Sequence, residues 1–185
     1  MKKILCLLAW LFLFQTAFAD DYLKICHAYH CKAESTFKIS DGERVQLAAR
    51  FAAAGNAAAE REAVRQAVLA VYLAAGRQTP VYQDKGGNFR DGSSPGRMDC
   101  ADHSNNDTAF LQYFARNGWL KFHTVGKPVY RAPRFLDLHY AAQLVEKDDG
   151  SRWVVDSWFE DFGKPPVVVE YALWKKGWKP EKVVG

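Results

Sequence analysis

Three side chains in this sequence could together carry out nucleophilic chemistry: Cys100, His139 and Asp156. A thiol becomes a strong nucleophile once its proton is gone, so it needs an imidazole to accept and return that proton. The imidazole needs a carboxylate that fixes its tautomer. Cys100 follows Gly96-Arg97-Met98-Asp99 and leads into Ala101-Asp102-His103, which reads as a loop running into a helix. Backbone N–H groups at a helix start are unpaired and partially positive, which favours a thiolate there. The Cys100 N–H is one candidate oxyanion donor, and Gln83 and Asn88, earlier in the same loop, are candidates for the groove and for a second donor. Asp99 and Asp102 work the other way, because negative charge close to a thiol raises its pKa. His103 is a competing base, but a neighbour in the same first turn points sideways rather than across a groove.

The elements that carry His139 and Asp156 must bring them together. Residues 137–146 and 152–158 read as two strands, and Lys147-Asp148-Asp149-Gly150-Ser151 between them is a turn sequence. Side chains alternate faces along a strand, so the turn length decides whether the two residues share a face. A four-residue turn, 147–150, pairs Glu146 with Ser151 and Ala141 with Asp156. His139 is then the diagonal neighbour of Asp156, about 7–8 Å away between backbones and within reach of an imidazole–carboxylate bond. A two-residue turn at Asp149-Gly150 would pair Asp156 with Gln143 and leave His139 about 13 Å further along. The four-residue turn is the expected one.

The remaining segments read as scaffold. Residues 22–26 and 36–39 suit short strands. Ser40 is an N-cap with Glu43 three residues on, opening a helix that stops at Gly55-Asn56. A second helix spans about 57–75, with Val64, Ala67, Val68, Val71 and Tyr72 at helical spacing. Residues 77–97 read as one long loop. The helix begun at Cys100 shows Phe110, Tyr113 and Phe114 on one face and closes at Asn117-Gly118. His123 reads as a structural residue in a strand, 167–170 as a further strand, and 171–176 as a short helix. The expected fold class is α+β: N-terminal helices packed on an antiparallel sheet, in a single domain over residues 20–185.

Lys2 and Lys3, the apolar run 4–14 and the small-x-small triplet Ala17-Phe18-Ala19 have the form of an export signal over residues 1–19. That run is shorter than the roughly 20 residues that span a bilayer, so no membrane span is expected after cleavage. The formal charge of +4 falls to +2 once Lys2 and Lys3 leave, too near neutral to argue for a nucleic-acid partner. Three cysteines remain after Cys6 departs. Cys26 and Cys31 are close enough to pair, and an oxidising compartment favours a disulfide between them. The competing reading is a metal bound by Cys26, His27, His30 and Cys31, although the spacing fits no common zinc pattern. The disulfide is preferred, with no metal or cofactor, and Cys100 is left as the unpaired thiol.

The order Cys, His, Asp on helix, strand and strand resembles the transglutaminase-like (papain-like) superfamily of cysteine peptidases. The motifs that carry the resemblance are Met98-Asp99-Cys100-Ala101-Asp102, His139-Tyr140-Ala141 and Trp153-Val154-Val155-Asp156-Ser157. The chain as a whole resembles an exported proteobacterial branch of it. Tyr-Ala after the histidine departs from the family's usual Ala-aromatic order, and the loop between Cys26 and Cys31 lies outside its pattern. The resemblance implies a core with the nucleophile at a helix N-terminus, and a periplasmic thiol hydrolase acting on amide bonds. It would be a peptidase or amidase, or an acyl transferase, on a peptide, protein or peptidoglycan-fragment substrate. The alternative it leaves is a catalytically silent binding domain of the cell envelope, since folds outlive their chemistries.

Overall fold

The structure, a computed structural model, describes residues 21–88, 92–133 and 138–181; the proposed export signal and Asp137 lie outside them. Strands β1 (Asp21–His27) and β2 (Ala33–Ile39) form an antiparallel hairpin, longer than the sequence pattern suggested, in register from Asp21↔Ile39 to His27↔Ala33. Ser40 caps α1 (Asp41–Ala52): its side chain accepts the Glu43 N–H while the Glu43 carboxylate takes the Ser40 N–H. Asn56 caps α2 (Ala57–Gly76) by accepting from the Ala59 N–H. The expected long loop contains a 3-10 turn, Pro80–Gln83, because proline at its first position supplies the required φ. It ends at Asp99, the N-cap of α3 (Cys100–Arg116).

Strands β3 (His123–Val125), β4 (Val129–Arg131), β5 (His139–Glu146), β6 (Arg152–Asp156) and β7 (Val167–Glu170) make an antiparallel sheet of order β3-β5-β6-β7, with β4 also on β5. Strand β4 was not anticipated, being only three residues long. A last short helix, α4, spans Tyr171–Lys175. The architecture is therefore α+β, with antiparallel sheets throughout. Among the described residues no helix is long and apolar enough to cross a membrane.

Alternation along the sheet sorts the residues onto two faces. Ala142, Leu144 and Val155 enter the main core with Val64, Val68 and Val71 of α2 and Phe110, Leu111 and Phe114 of α3. Ala141 and Val154 point the other way, into a smaller cluster with Val129, Val169 and Trp174. His139 shares parity with Ala141, and Asp156 with Val154. Both therefore belong to the face that Trp174 covers, while α3 covers the opposite face.

Strand β6 ends two residues before the sequence pattern predicts. The Ser157 N–H goes to Asp107 Oδ2 and the Trp158 N–H to Asp156 Oδ1, so side chains have taken the donors a continuing ladder would use.

Candidate active site

The β5–β6 hairpin has the register that a four-residue turn requires. Ala142 pairs with Val155 and Val145 with Arg152, and the Glu146 N–H meets the Ser151 carbonyl at 2.8 Å. His139 and Asp156 are accordingly diagonal neighbours, and His139 Nε2 lies 2.7 Å from Asp156 Oδ2. Both side chains are 1% exposed. A carboxylate at that distance holds the proton on Nε2, which leaves the lone pair of the neutral ring on Nδ1. Nδ1 is buried and has no hydrogen-bond partner. An unpaired buried nitrogen costs about 1–3 kcal/mol, so its retention calls for an explanation.

Trp174 completes this half of the site, and nothing in the sequence pattern singled it out. Its Nε1–H donates to Asp156 Oδ2 at 2.9 Å, and its ring lies 5.7 Å from the His139 ring. The Trp158 and Phe159 rings lie 4.6 and 5.4 Å from His139, so aromatic rings pack against the imidazole. The clustered tryptophans near the C-terminus were the available signal; only the tertiary fold shows which one reaches Asp156.

Cys100 occupies the first position of α3, next to the N-cap Asp99. It is the free cysteine of the described residues, and its sulfur is engaged by the Tyr140 backbone N–H, the residue after His139. The thiol is not activated at rest. Burial pushes its pKa up to about 11; the Tyr140 N–H opposes this, and the Asp99 and Asp156 charges add to it. The thiolate expected from a helix N-terminus is thus outweighed by desolvation.

Asp99 and Asp102 have a structural reason to stand beside the thiol. Each accepts the other's backbone N–H in a reciprocal capping box. Asp99 Oδ2 also accepts the His30 N–H at 3.2 Å and faces His30 Nδ1 at 3.1 Å, while Asp102 Oδ1 accepts the Cys31 N–H at 2.6 Å. The loop they hold is closed by a Cys26–Cys31 disulfide, and its residues Ala28, Tyr29, His30 and Cys31 all have φ between 54° and 65°. The turn so formed points the His30 and Cys31 N–H groups at the two carboxylates at the start of α3.

The disulfide consumes both thiols of the metal reading. His27 is also turned away, with Nε2 on Ser35 Oγ and Nδ1 taking the Gly96 N–H. Cys26, Cys31 and Glu34 place ligand atoms within 4.8 Å of one another, but two of those atoms are the bonded sulfurs.

Of the proposed groove residues, Gln83 is exposed at the end of the 3-10 turn, and its carbonyl accepts from Arg97 Nη1. Asn88 is buried, with Nδ2 3.4 Å from Asp84 Oδ1 and its own Oδ1 unpartnered. His103 points into the core, 2.9 Å from Asp84 Oδ2 and 2.7 Å from Ser157 Oγ, not toward the sulfur. His123 is tied to the buried Glu60 at 2.9 Å.

Compared with known proteins, the chain matches no family model, no curated protein and no solved structure.

Proposed function

We propose that the protein is an exported thiol hydrolase with a transglutaminase-like core, acting on amide bonds of a peptide, protein or peptidoglycan fragment in the periplasm. Cys100 is the nucleophile, His139 the base and Asp156 its orienter. One observation carries the reading. The His139 ring is fixed through Nε2 by a buried carboxylate, while its free Nδ1 lies on the strand whose next N–H meets the Cys100 sulfur. The Cys26–Cys31 disulfide supports an oxidising compartment.

The chemistry follows from these positions. With its pKa near 11, the thiol is neutral at rest, so His139 takes its proton as a general base when an electrophile arrives, substrate or alkylating reagent alike, rather than through a standing ion pair. His139 Nδ1 takes the proton as Cys100 Sγ bonds to the carbonyl carbon, and the oxyanion is received by the Cys100 N–H, with Gln83 or Asn88 as candidate second donors. The imidazolium protonates the departing amine, leaving a thioester. The ring, neutral again, takes a proton from water as the water oxygen adds to the thioester carbonyl, and returns that proton to the departing sulfur, restoring the thiol. An amine in place of that water would make the reaction an acyl transfer.

The raised Cys100 pKa favours a second reading, a binding domain of the same fold without turnover. Incubation with peptides and peptidoglycan fragments, with mass-spectrometric trapping of a thioester, separates the two. The expected result is an adduct on Cys100 that is absent in Cys100→Ser and formed at least about 100-fold more slowly in His139→Ala. Alkylation of Cys100 at one rate in wild type and His139→Ala across pH 6 to 10 would overturn the hydrolase reading. Retention of a fragment with no adduct supports the binding domain.

A further inference from the structure

Ser157 directly follows Asp156, and strand alternation turns it to the opposite face, into the core beneath α2 and α3. Its oxygen stands 2.7 Å from His103 Nδ1, 2.8 Å from Asp107 Oδ2 and 3.1 Å from Tyr72 Oη. Its backbone N–H goes to the same Asp107 oxygen at 3.1 Å, and the Tyr72 O–H donates to Asp107 Oδ1 at 3.0 Å. His103 Nε2 continues to Asp84 Oδ2 at 2.9 Å, and Asp84 Oδ1 accepts the Met98 N–H at 2.7 Å. All five side chains are buried. A continuous line of hydrogen bonds therefore runs from Met98, two residues before Cys100, to the residue bonded to Asp156.

The geometry resembles a serine nucleophile with a His–Asp pair, but it cannot work as one. The Ser157 hydroxyl has Asp107 as well as His103 for a partner, and the adjoining cavity of about 20 Å³ holds no more than a water. The line closes in two ways with the same number of protons. In one, His103 carries both N–H groups, Ser157 donates to Asp107, and Asp107 is ionised. In the other, Asp107 donates to Ser157, Ser157 donates to His103 Nδ1, and only Nε2 carries a proton. Neither leaves Ser157 unpaired, so its position survives a proton shift. The groups around it fit this sharing. Asp84 raises the His103 pKa against the pull of burial, and burial lifts Asp107 to about 7, with His103 opposing. Glu160, Asp161 and Lys164 line the cavity wall, and Asp156 adds its charge from the strand end.

We propose that Ser157 is a positioning residue for Asp156 and His139, and that Asp107, His103 and Asp84 lock it to the loop that presents Cys100. One buried clamp, on the face of the sheet away from His139, then sets both halves of the site. The proposal rests on the reading of Cys100, His139 and Asp156 as the reacting set.

The test follows Cys100 alkylation against pH, and the ¹⁵N shifts of the His139 ring that report its tautomer, in Ser157→Ala, Ser157→Thr and Tyr72→Phe. In Ser157→Ala the His139 shifts move away from a single Nε2–H form, and alkylation near neutral pH slows about tenfold. Ser157→Thr keeps the hydroxyl and recovers most of the rate. Tyr72→Phe removes one bond to Asp107 and gives a smaller change of the same sign. Folded Ser157→Ala with wild-type shifts and a wild-type alkylation profile overturns the proposal, whatever its melting temperature. If Ser157→Ala fails to fold, wild-type behaviour of Tyr72→Phe does the same. Failure of the hydrolase reading looks different: His139→Ala then alkylates like wild type, while the His139 shifts in Ser157→Ala still decide the positioning role.

Discussion

His139 and Asp156 meet at 2.7 Å because the turn joining their strands, residues 147–150, has an even number of residues. The Gly150 N–H returns to the Glu146 carbonyl, and the Glu146 N–H to the Ser151 carbonyl, so the strands close directly around those four residues. A single bond of the site thus depends on the turn at the far end of the hairpin that carries it.

Deleting Asp148 makes the turn odd. Either the strands slip and put His139 and Asp156 on opposite faces, or a bulge absorbs the change and keeps them together. The slip is the outcome expected if the turn, rather than core packing or the Lys147 bonds to the Leu120 and Lys121 carbonyls, sets the register. The His139 ring should lose its Nε2–H signature in ¹⁵N spectra, and Cys100 chemistry should fall about 10- to 100-fold. An unchanged His139 signal would mean that core packing on β5 and β6, not the turn, sets the register.

Trp174→Phe keeps the ring against His139 and removes the N–H given to Asp156. A hydrogen bond to a buried charged group contributes about 1.5–3 kcal/mol, so stability should fall by that order in denaturant unfolding. The carboxylate then has His139 as its side-chain donor and can rotate, which should slow Cys100 acylation about tenfold. A stability loss with an unaltered acylation rate would reduce Trp174 to a packing role.

The hairpin, its register and the helix that begins at Cys100 were legible because they rest on local rules. Alternation, an even turn and a loop running into an amphipathic helix need only neighbours in sequence. Trp174 and the buried line through Ser157 were not legible, because each depends on elements that meet only in the fold: α4 against β6, and α2, α3 and the 3-10 turn against its end. Asp99 and Asp102 show the same limit from the other side. Read locally, they oppose a thiolate; in the fold, they anchor a left-handed loop whose partner N–H groups lie some seventy residues earlier. The raised pKa of Cys100 is hidden in the sequence for a related reason, since a helix start is visible there and burial is not.

That loop gives a third expectation. Four consecutive non-glycine residues at positive φ are each disfavoured by about 1–2 kcal/mol, and the disulfide and the two carboxylates hold them there. Replacing Cys26 and Cys31 together by serine should lower stability by about 2 kcal/mol through the small ring alone. Backbone amides at positions 30 and 31 should then exchange with solvent much faster, as Asp99 and Asp102 lose their partners. Slow exchange in the double variant would show that the carboxylates suffice without the covalent bond.

Asp107 yields a pH dependence whose sign can be worked out. Burial raises its pKa from an ordinary 3.8 to about 7 in the folded protein. Between those values the folded chain keeps a proton that the unfolded chain has released. The contribution is therefore fully present below about pH 4 and is lost as pH rises through 7. His103 is raised from 6.5 and extends the decline upward, and Asp102, also raised by burial, adds to it at lower pH. Glu43 and Asp149 are lowered and act in the opposite sense, but only in the acid range below about pH 5. Unfolding free energy should thus be smaller at pH 8 than at pH 5, with a slope from Asp107 of at most about 1.4 kcal/mol per pH unit. Asp107→Asn keeps the shape and cannot ionise, so its slope between pH 5 and 7 should be visibly flatter. Denaturant titrations of the two proteins at several pH values make the comparison. Parallel slopes would mean that Asp107 stays ionised throughout and that His103 carries the extra proton alone.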